Sequence, residues 1–180
     1  MSLPHAILGI LQEQPMTGYD LKTQYFDESI AHFWPADQAQ IYRTLDKMAA
    51  DGWVESQLEI QDNRPNRKIY SITQAGRDEL LRWLLVPQSL TNYREPFLIQ
   101  LFFMKTLSNA QIMSMIEGQR QAHQARLEAY QQIPLAPLEA SSNREHALQR
   151  LTLEIGIRME QTKLDWLHMA YDLIKHLPDE

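Results

Sequence analysis

The sequence contains no cysteine, which excludes disulfide scaffolds, thiol catalysis and cysteine-based zinc sites and fits a reducing compartment. It also lacks a secretory leader pattern. Met1-Ser2-Leu3-Pro4-His5 carries no basic flank, and the apolar run behind it is broken by Gln12 and Glu13, so the expectation is a cytoplasmic protein. Long apolar runs are missing as well. The richest, Phe97 to Met104, is interrupted by Gln100 and falls far short of the roughly 18 to 20 residues that span a bilayer, so no membrane partner is expected. The Gly-rich phosphate loop, His-Glu-x-x-His, Gly-x-Ser-x-Gly and Asp-rich metal loops are absent, which leaves an enzymatic reading unsupported and no cofactor called for.

Basic charge is in short supply. There are 17 Lys and Arg against 23 Asp and Glu, a net charge of −6, and on a bulk reading that argues against nucleic acid. What a polyanion meets, however, is the face within about one Debye length, roughly 8 to 10 Å, so a local basic patch outweighs the total. With 180 residues, 44% of them hydrophobic, the chain can bury the core of one large domain or two small ones.

Ser2 and Pro4 predict the start of a first helix that presents Leu3, Ile7, Ile10 and Leu11 on one face and ends near Gln14. Pro15-Met16-Thr17-Gly18 reads as a turn, and Thr17 with Asp20 resembles a capping box for a second helix, with Leu21, Tyr25 and Phe26 as its apolar side. Phe33-Trp34-Pro35 ends that helix, because the residue before proline is pushed out of helical geometry. Asp37 is an N-cap for a third helix, residues 37 to 51, whose inner stripe is Ile41, Leu45 and Met48.

Turning about 100° per residue from Ile41 places Arg43 near 200°, Lys47 near 240° and Gln40 near 260°, together on the outer face. Such donors suit base edges and phosphates in a major groove. The blander reading is a solvated helix face. Gly52 suits a left-handed cap, and Val54, Leu58 and Ile60 share strand parity. Strands 53 to 61 and 67 to 73 should form a hairpin around the turn formers Asp62-Asn63-Arg64-Pro65-Asn66. Arg64, Arg67 and Lys68 against Asp62 make this tip, residues 62 to 68, the main positive island of a segment that is otherwise acidic. Thr73 caps a fourth helix, with Leu80, Leu81, Trp83, Leu84 and Leu85 as its expected buried residues.

Helix, helix, helix, strand, strand, helix with a basic hairpin tip is the order of a winged helix-turn-helix. The stretches Ala6-Ile7-Leu8-Gly9-Ile10-Leu11, Met16-Thr17-Gly18-Tyr19-Asp20-Leu21, Phe33-Trp34-Pro35-Ala36, Gln40-Ile41-Tyr42-Arg43-Thr44-Leu45, Asp51-Gly52-Trp53-Val54, Arg67-Lys68-Ile69-Tyr70-Ser71-Ile72-Thr73 and Ala75-Gly76-Arg77 resemble, in order, PadR-type transcriptional regulators. The chain departs from them at Asp37-Gln38-Ala39, where members often carry Ser-Pro-Gly, and so sets an acid near the expected phosphate track. The resemblance implies a dimeric DNA-binding regulator, a repressor or an activator. Its DNA contacts would be Gln40, Tyr42, Arg43 and Lys47 on the recognition helix and Arg64, Arg67 and Lys68 in the wing.

Val86-Pro87-Gln88-Ser89 marks a boundary between a DNA-binding domain over residues 1 to 86 and a helical domain over 90 to 180. In the latter, Pro96 opens an apolar segment, Ser108 with Gln111 makes a capping box for a helix running to about Gln132, and Ser142 with Glu145 starts a last helix of roughly 34 residues. That helix would be about 50 Å long, longer than a domain of this size is wide. Leu148, Leu151, Ile155, Met159, Thr162, Trp166, Met169 and Leu173 recur at close to the 3.5-residue repeat of packed helices. This stripe, Thr162 aside, is the expected homodimer contact, with intramolecular packing on the preceding helix as the alternative. A twofold dimer would set its recognition helices about 34 Å apart and read a palindromic operator in double-stranded DNA.

The resemblance extends to the larger subgroup with a virulence-activator-like helical C-terminal domain. The expected fold class is therefore mainly α with a small β-hairpin wing, an N-terminal winged helix-turn-helix and a C-terminal helical dimerisation and effector domain.

Trp34, Trp83, Tyr93 and Trp166 could line a pocket for a small aromatic effector, because flat rings stack on flat ligands, although such residues more often fill a core. His168, Asp172 and His176 recur every fourth residue, but the spacing drifts about 40° per step and no fourth ligand is evident, so no metal is expected. The competing function is a winged-helix protein-interaction module that does not bind DNA specifically, with the net charge of −6 as its mark.

Overall fold

The computed structural model describes residues 2–60, 66–90, 92, 94–140 and 143–178. The chain divides into two compact units, residues 1–91 and 92–180.

In the first unit, α1 (Leu3–Glu13) buries Ile7, Leu8, Ile10 and Leu11. Ser2 makes no side-chain cap, contrary to expectation, because its own backbone is already helical. The stretch read as a turn contains a two-residue strand, β1 (Met16–Thr17). It pairs antiparallel with the later strand β3 (Arg67–Ile72) in the register Met16↔Tyr70 and Thr17↔Ile69. Thr17 then caps α2 (Gly18–Leu21), its hydroxyl accepting from Asp20 N at 3.0 Å and donating to Asp20 Oδ2 at 2.7 Å. The expected second helix does not run on to residue 33. It widens into a π turn over Lys22–Phe26, and a short 3₁₀ turn follows over Ile30–His32. The wide turn closes hydrogen bonds five residues apart, which brings Leu21 and Phe26, both buried, toward the same side.

α3 (Gln38–Ala50) opens with a full capping box between Asp37 and Gln40 and buries Ile41, Leu45 and Met48. Gly52 has φ +75°, the left-handed conformation that ends the helix. β2 (Val54–Glu59) pairs with β3 from Val54↔Ile72 to Glu59↔Arg67, so β3 is the central strand of a three-stranded antiparallel sheet. Shared parity does not bury Leu58 and Ile60: only Val54 enters the core, and the other two are exposed where the hairpin runs beyond it. In α4 (Gln74–Leu84), capped by Thr73, Leu80 is buried and Trp83 half-buried. Leu81, Leu84 and Leu85 are exposed rather than buried, since only one face of α4 meets α1.

The second unit is helical. α5 (Pro96–Phe103) leads into α6 (Asn109–Gln131), whose capping box joins Ser108 and Gln111 as the sequence predicts. α7 (Arg144–Lys175) has 32 residues. Its cap is Asn143, which accepts from His146 N at 2.8 Å, while Ser142 lies outside the described residues. α6 and α7 pack antiparallel: Asn109 donates to Leu177 O, His123 meets Glu160, and the Tyr130 ring lies against Gly156.

The buried side of α7 is Leu153, Glu160, Leu164, Leu167 and Ala170. At about 100° per residue, the stripe Leu148, Leu151, Ile155, Met159, Trp166, Met169 and Leu173 occupies an arc of about 80° on another side of the helix. All of these except the half-buried Trp166 are exposed.

Candidate nucleic-acid interface

The three residues that α3 turns inward are essentially without solvent contact, which fixes the rotation of the helix and leaves Gln40, Arg43 and Lys47 exposed on its far side. The side-chain carbonyl of Gln40 is committed to the cap, accepting from Asp37 N at 2.9 Å. Asp37 in turn accepts from Gln40 N at 2.7 Å, so the acid that departs from the Ser-Pro-Gly pattern closes the start of the helix. Tyr42 is only partly exposed, and its ring lies over Gly18 at the start of α2.

The wing reaches α3 through Lys68. Its ammonium lies 3.8 Å from Asp46 Oδ1 and 5.1 Å from the centroid of the Tyr70 ring. Both members of the ion pair are substantially exposed, so it contributes little stability, but it sets the base of the wing beside the outer face of α3. Arg67 is opposite Glu59 in the hairpin register. The tip of the wing over 61–65, with Arg64, lies outside the described residues. Sequence reasoning missed the Asp46–Lys68 and Gly18–Tyr42 relationships, which join residues far apart in the chain and leave no periodic trace.

The outer face of α3 is also one wall of an open groove of about 660 Å³. Gln40, Arg43, Thr44 and Lys47 form that wall, and Phe33, Trp34, Pro35, Ser2, Leu3 and Pro4 complete the lining. Among the described residues its lining includes two cations and no carboxylate.

Of the four aromatics expected around an effector, three are among the described residues. Trp34 lines this groove, whereas Trp83 stacks on the buried His5 ring at 4.5 Å between centroids. His5 Nε2 donates to Glu79 Oε1 at 2.9 Å, and that bond is the largest influence holding the Glu79 carboxyl below its ordinary range; burial opposes it and Arg82 reinforces it. In the second unit Trp166 packs edge-on against Phe97 and helps line a cavity of about 350 Å³ with Leu98, Leu167, His123 and Lys163. Lys163 is paired with Glu95 at 3.0 Å and His123 with the buried Glu160 at 2.5 Å. Tyr93 lies outside the described residues. On the last helix His168 meets Asp172 at 3.5 Å, and His176 Nδ1 donates to the Asp172 carbonyl at 2.7 Å. Among the described residues no helix is long and apolar enough to cross a membrane.

Residues 7–82 match the model of the transcriptional regulator PadR-like family, and residues 93–175 that of the virulence activator alpha C-terminal domain. A probable transcriptional regulator of Mycobacterium tuberculosis is 35% identical, over 93% of this chain and 94% of its own. The crystal structure of Bacillus subtilis PadR in complex with operator DNA superposes with a TM-score of 0.85 at 27% identity, covering 97% of this chain and 99% of that one. The same Bacillus protein in complex with p-coumaric acid gives 0.83 at 27% identity, over 98% and 100%. With both halves matched in order and a relative above 30% identity aligned along nearly the whole length, the chain belongs to the PadR-like family of transcriptional regulators.

Proposed function

We propose that this chain is a homodimeric repressor that binds a palindromic operator, with α3 in the major groove and the wing on the flanking backbone. The observation that carries the reading is the outer face of a capped α3, where Arg43 and Lys47 stand exposed on a helix whose Asp46 meets Lys68 at the base of the wing. Phosphates draw such cations and base edges accept from them. Residues 1 to 86 would then be the DNA-binding domain, with Gln40, Tyr42, Arg43, Lys47, Arg64, Arg67 and Lys68 as its contacts. The operator complex of the Bacillus relative supports this assignment.

Residues 90 to 180 would supply the dimer contact and the effector site. Six large apolar side chains of one α7 stripe, Leu148, Leu151, Ile155, Met159, Met169 and Leu173, are exposed within this chain, and a second copy would cover them. The apolar cavity beside Trp166, with Lys163 and His123 at its polar edge, suits a flat aromatic acid, the class of ligand bound by the Bacillus relative. Occupancy would shift the spacing of the two recognition helices and lower operator affinity.

Footprinting of the DNA upstream of the chain's own gene tests the reading. Two protected half-sites about one helical turn apart are expected. Protection that is uniform along the DNA, or confined to one half-site, contradicts it.

A further inference from the structure

We propose that Phe33 and Trp34 form a further DNA contact, packing on the sugar-phosphate backbone of the strand that flanks α3; this rests on the DNA-binding reading above. Two large aromatic side chains, Phe33 and Trp34, stand 60% and 40% exposed side by side in the chain. Local chemistry holds them out. Phe33 N and Trp34 N both donate to Ile30 O, at 3.1 and 2.8 Å, which closes the turn behind them. Pro35 then disfavours helical backbone at Trp34, and the buried Ala36 and the Asp37 cap anchor the far side.

The pair lines the same groove as Arg43 and Lys47, so the groove combines aromatic and cationic side chains. That combination fits a nucleic-acid strand. Its phosphates would meet the cations, its sugars offer apolar faces to Phe33, and a phosphate oxygen can accept from the indole N–H of Trp34. An acidic peptide would satisfy the cations equally, but the groove is continuous with the exposed face of α3, and duplex DNA covering that face would occupy it.

The test uses the full-length protein and duplexes that the wild type enriches from a random library. Affinity for the best duplex, its salt dependence and the melting temperature are measured for wild type, F33A, W34A and W34F. F33A and W34A should each lose about tenfold in affinity, the size of one lost contact of this kind. W34F should fall between, since it keeps a ring and lacks the donor. The log–log salt slope should not change in any of them, because no charge is removed. If W34A melts well below wild type, F33A alone decides, since its side chain is the more exposed of the two. Wild-type affinity in F33A, or in both alanine variants where both stay folded, overturns this inference alone. Failure of the wild type to enrich any duplex overturns the DNA-binding reading, and this inference with it.

Discussion

The ring of Tyr42 lies so close over Gly18 that a Cβ at residue 18 would sit 2.6 Å from Tyr42 Cε1. Any larger residue therefore has to displace a side chain proposed to meet DNA. Gly18→Ala should lower unfolding free energy by about 1 to 3 kcal/mol, as overpacking does. Removing the ring should relieve the clash, so Gly18→Ala with Tyr42→Ala should destabilise less than the two changes added together. Additive denaturation data would show that the ring moves aside freely.

Gly76 and Gly9 should behave in opposite ways. A Cβ on Gly76 would meet the Trp53 carbonyl oxygen at 2.1 Å, the same oxygen that accepts from Thr73 N at 3.0 Å. Backbone cannot give as a side chain can, so Gly76→Ala should destabilise by about 3 kcal/mol or more. Gly9, inside α1 with open space around it, should gain about 0.5 to 1 kcal/mol on change to alanine. Thermal melts of the two variants give the comparison directly.

The two sides of α7 predict separable defects. Ile155→Glu places a charge in the exposed stripe and should yield folded monomers, seen by sedimentation together with an unchanged far-ultraviolet spectrum. Leu167→Ala, in contrast, opens the buried side and should destabilise the second unit by about 2 to 5 kcal/mol. A dimer that persists in Ile155→Glu would move the contact elsewhere.

Glu79 links stability to pH. Its carboxyl is held below the ordinary range, chiefly by the bond from His5, so the native state favours the ionised form more than the unfolded chain does. The resulting stabilisation is fully present above the unfolded carboxylate value of about 4.3 and is lost as pH falls through the lower native value. Glu79→Gln should therefore be less stable than wild type near neutrality, and the difference should shrink below about pH 4. A difference independent of pH would assign the effect to packing.

Much of this architecture was legible in short-range sequence pattern. The Asp37 cap, the Ser108–Gln111 box, the Gly52 cap and the inner stripe Ile41, Leu45 and Met48 each depend on residues within about two turns, where propensity and capping chemistry decide. The misses have a common cause. The π turn over Lys22–Phe26, the strand at Met16–Thr17 and the exposure of Leu58, Leu81 and Leu84 are set by where distant elements end, which local pattern does not encode. For the interface, the rotation of α3 was readable and the Phe33–Trp34 lining was not: the same dipeptide that correctly signals a helix end also lines a groove shared with Arg43.

Sequence-selective DNA binding through α3 is tested most directly by mobility-shift titration of the chain's own promoter and of random DNA at about 150 mM salt, where exposed charges are screened beyond about 8 Å. Wild type should prefer the promoter, Arg43→Ala should lose that preference, and Arg67→Ala should weaken both DNAs and flatten the log–log salt slope by about one. Equal binding of promoter and random DNA by the wild type, or an intact preference in Arg43→Ala, would contradict it.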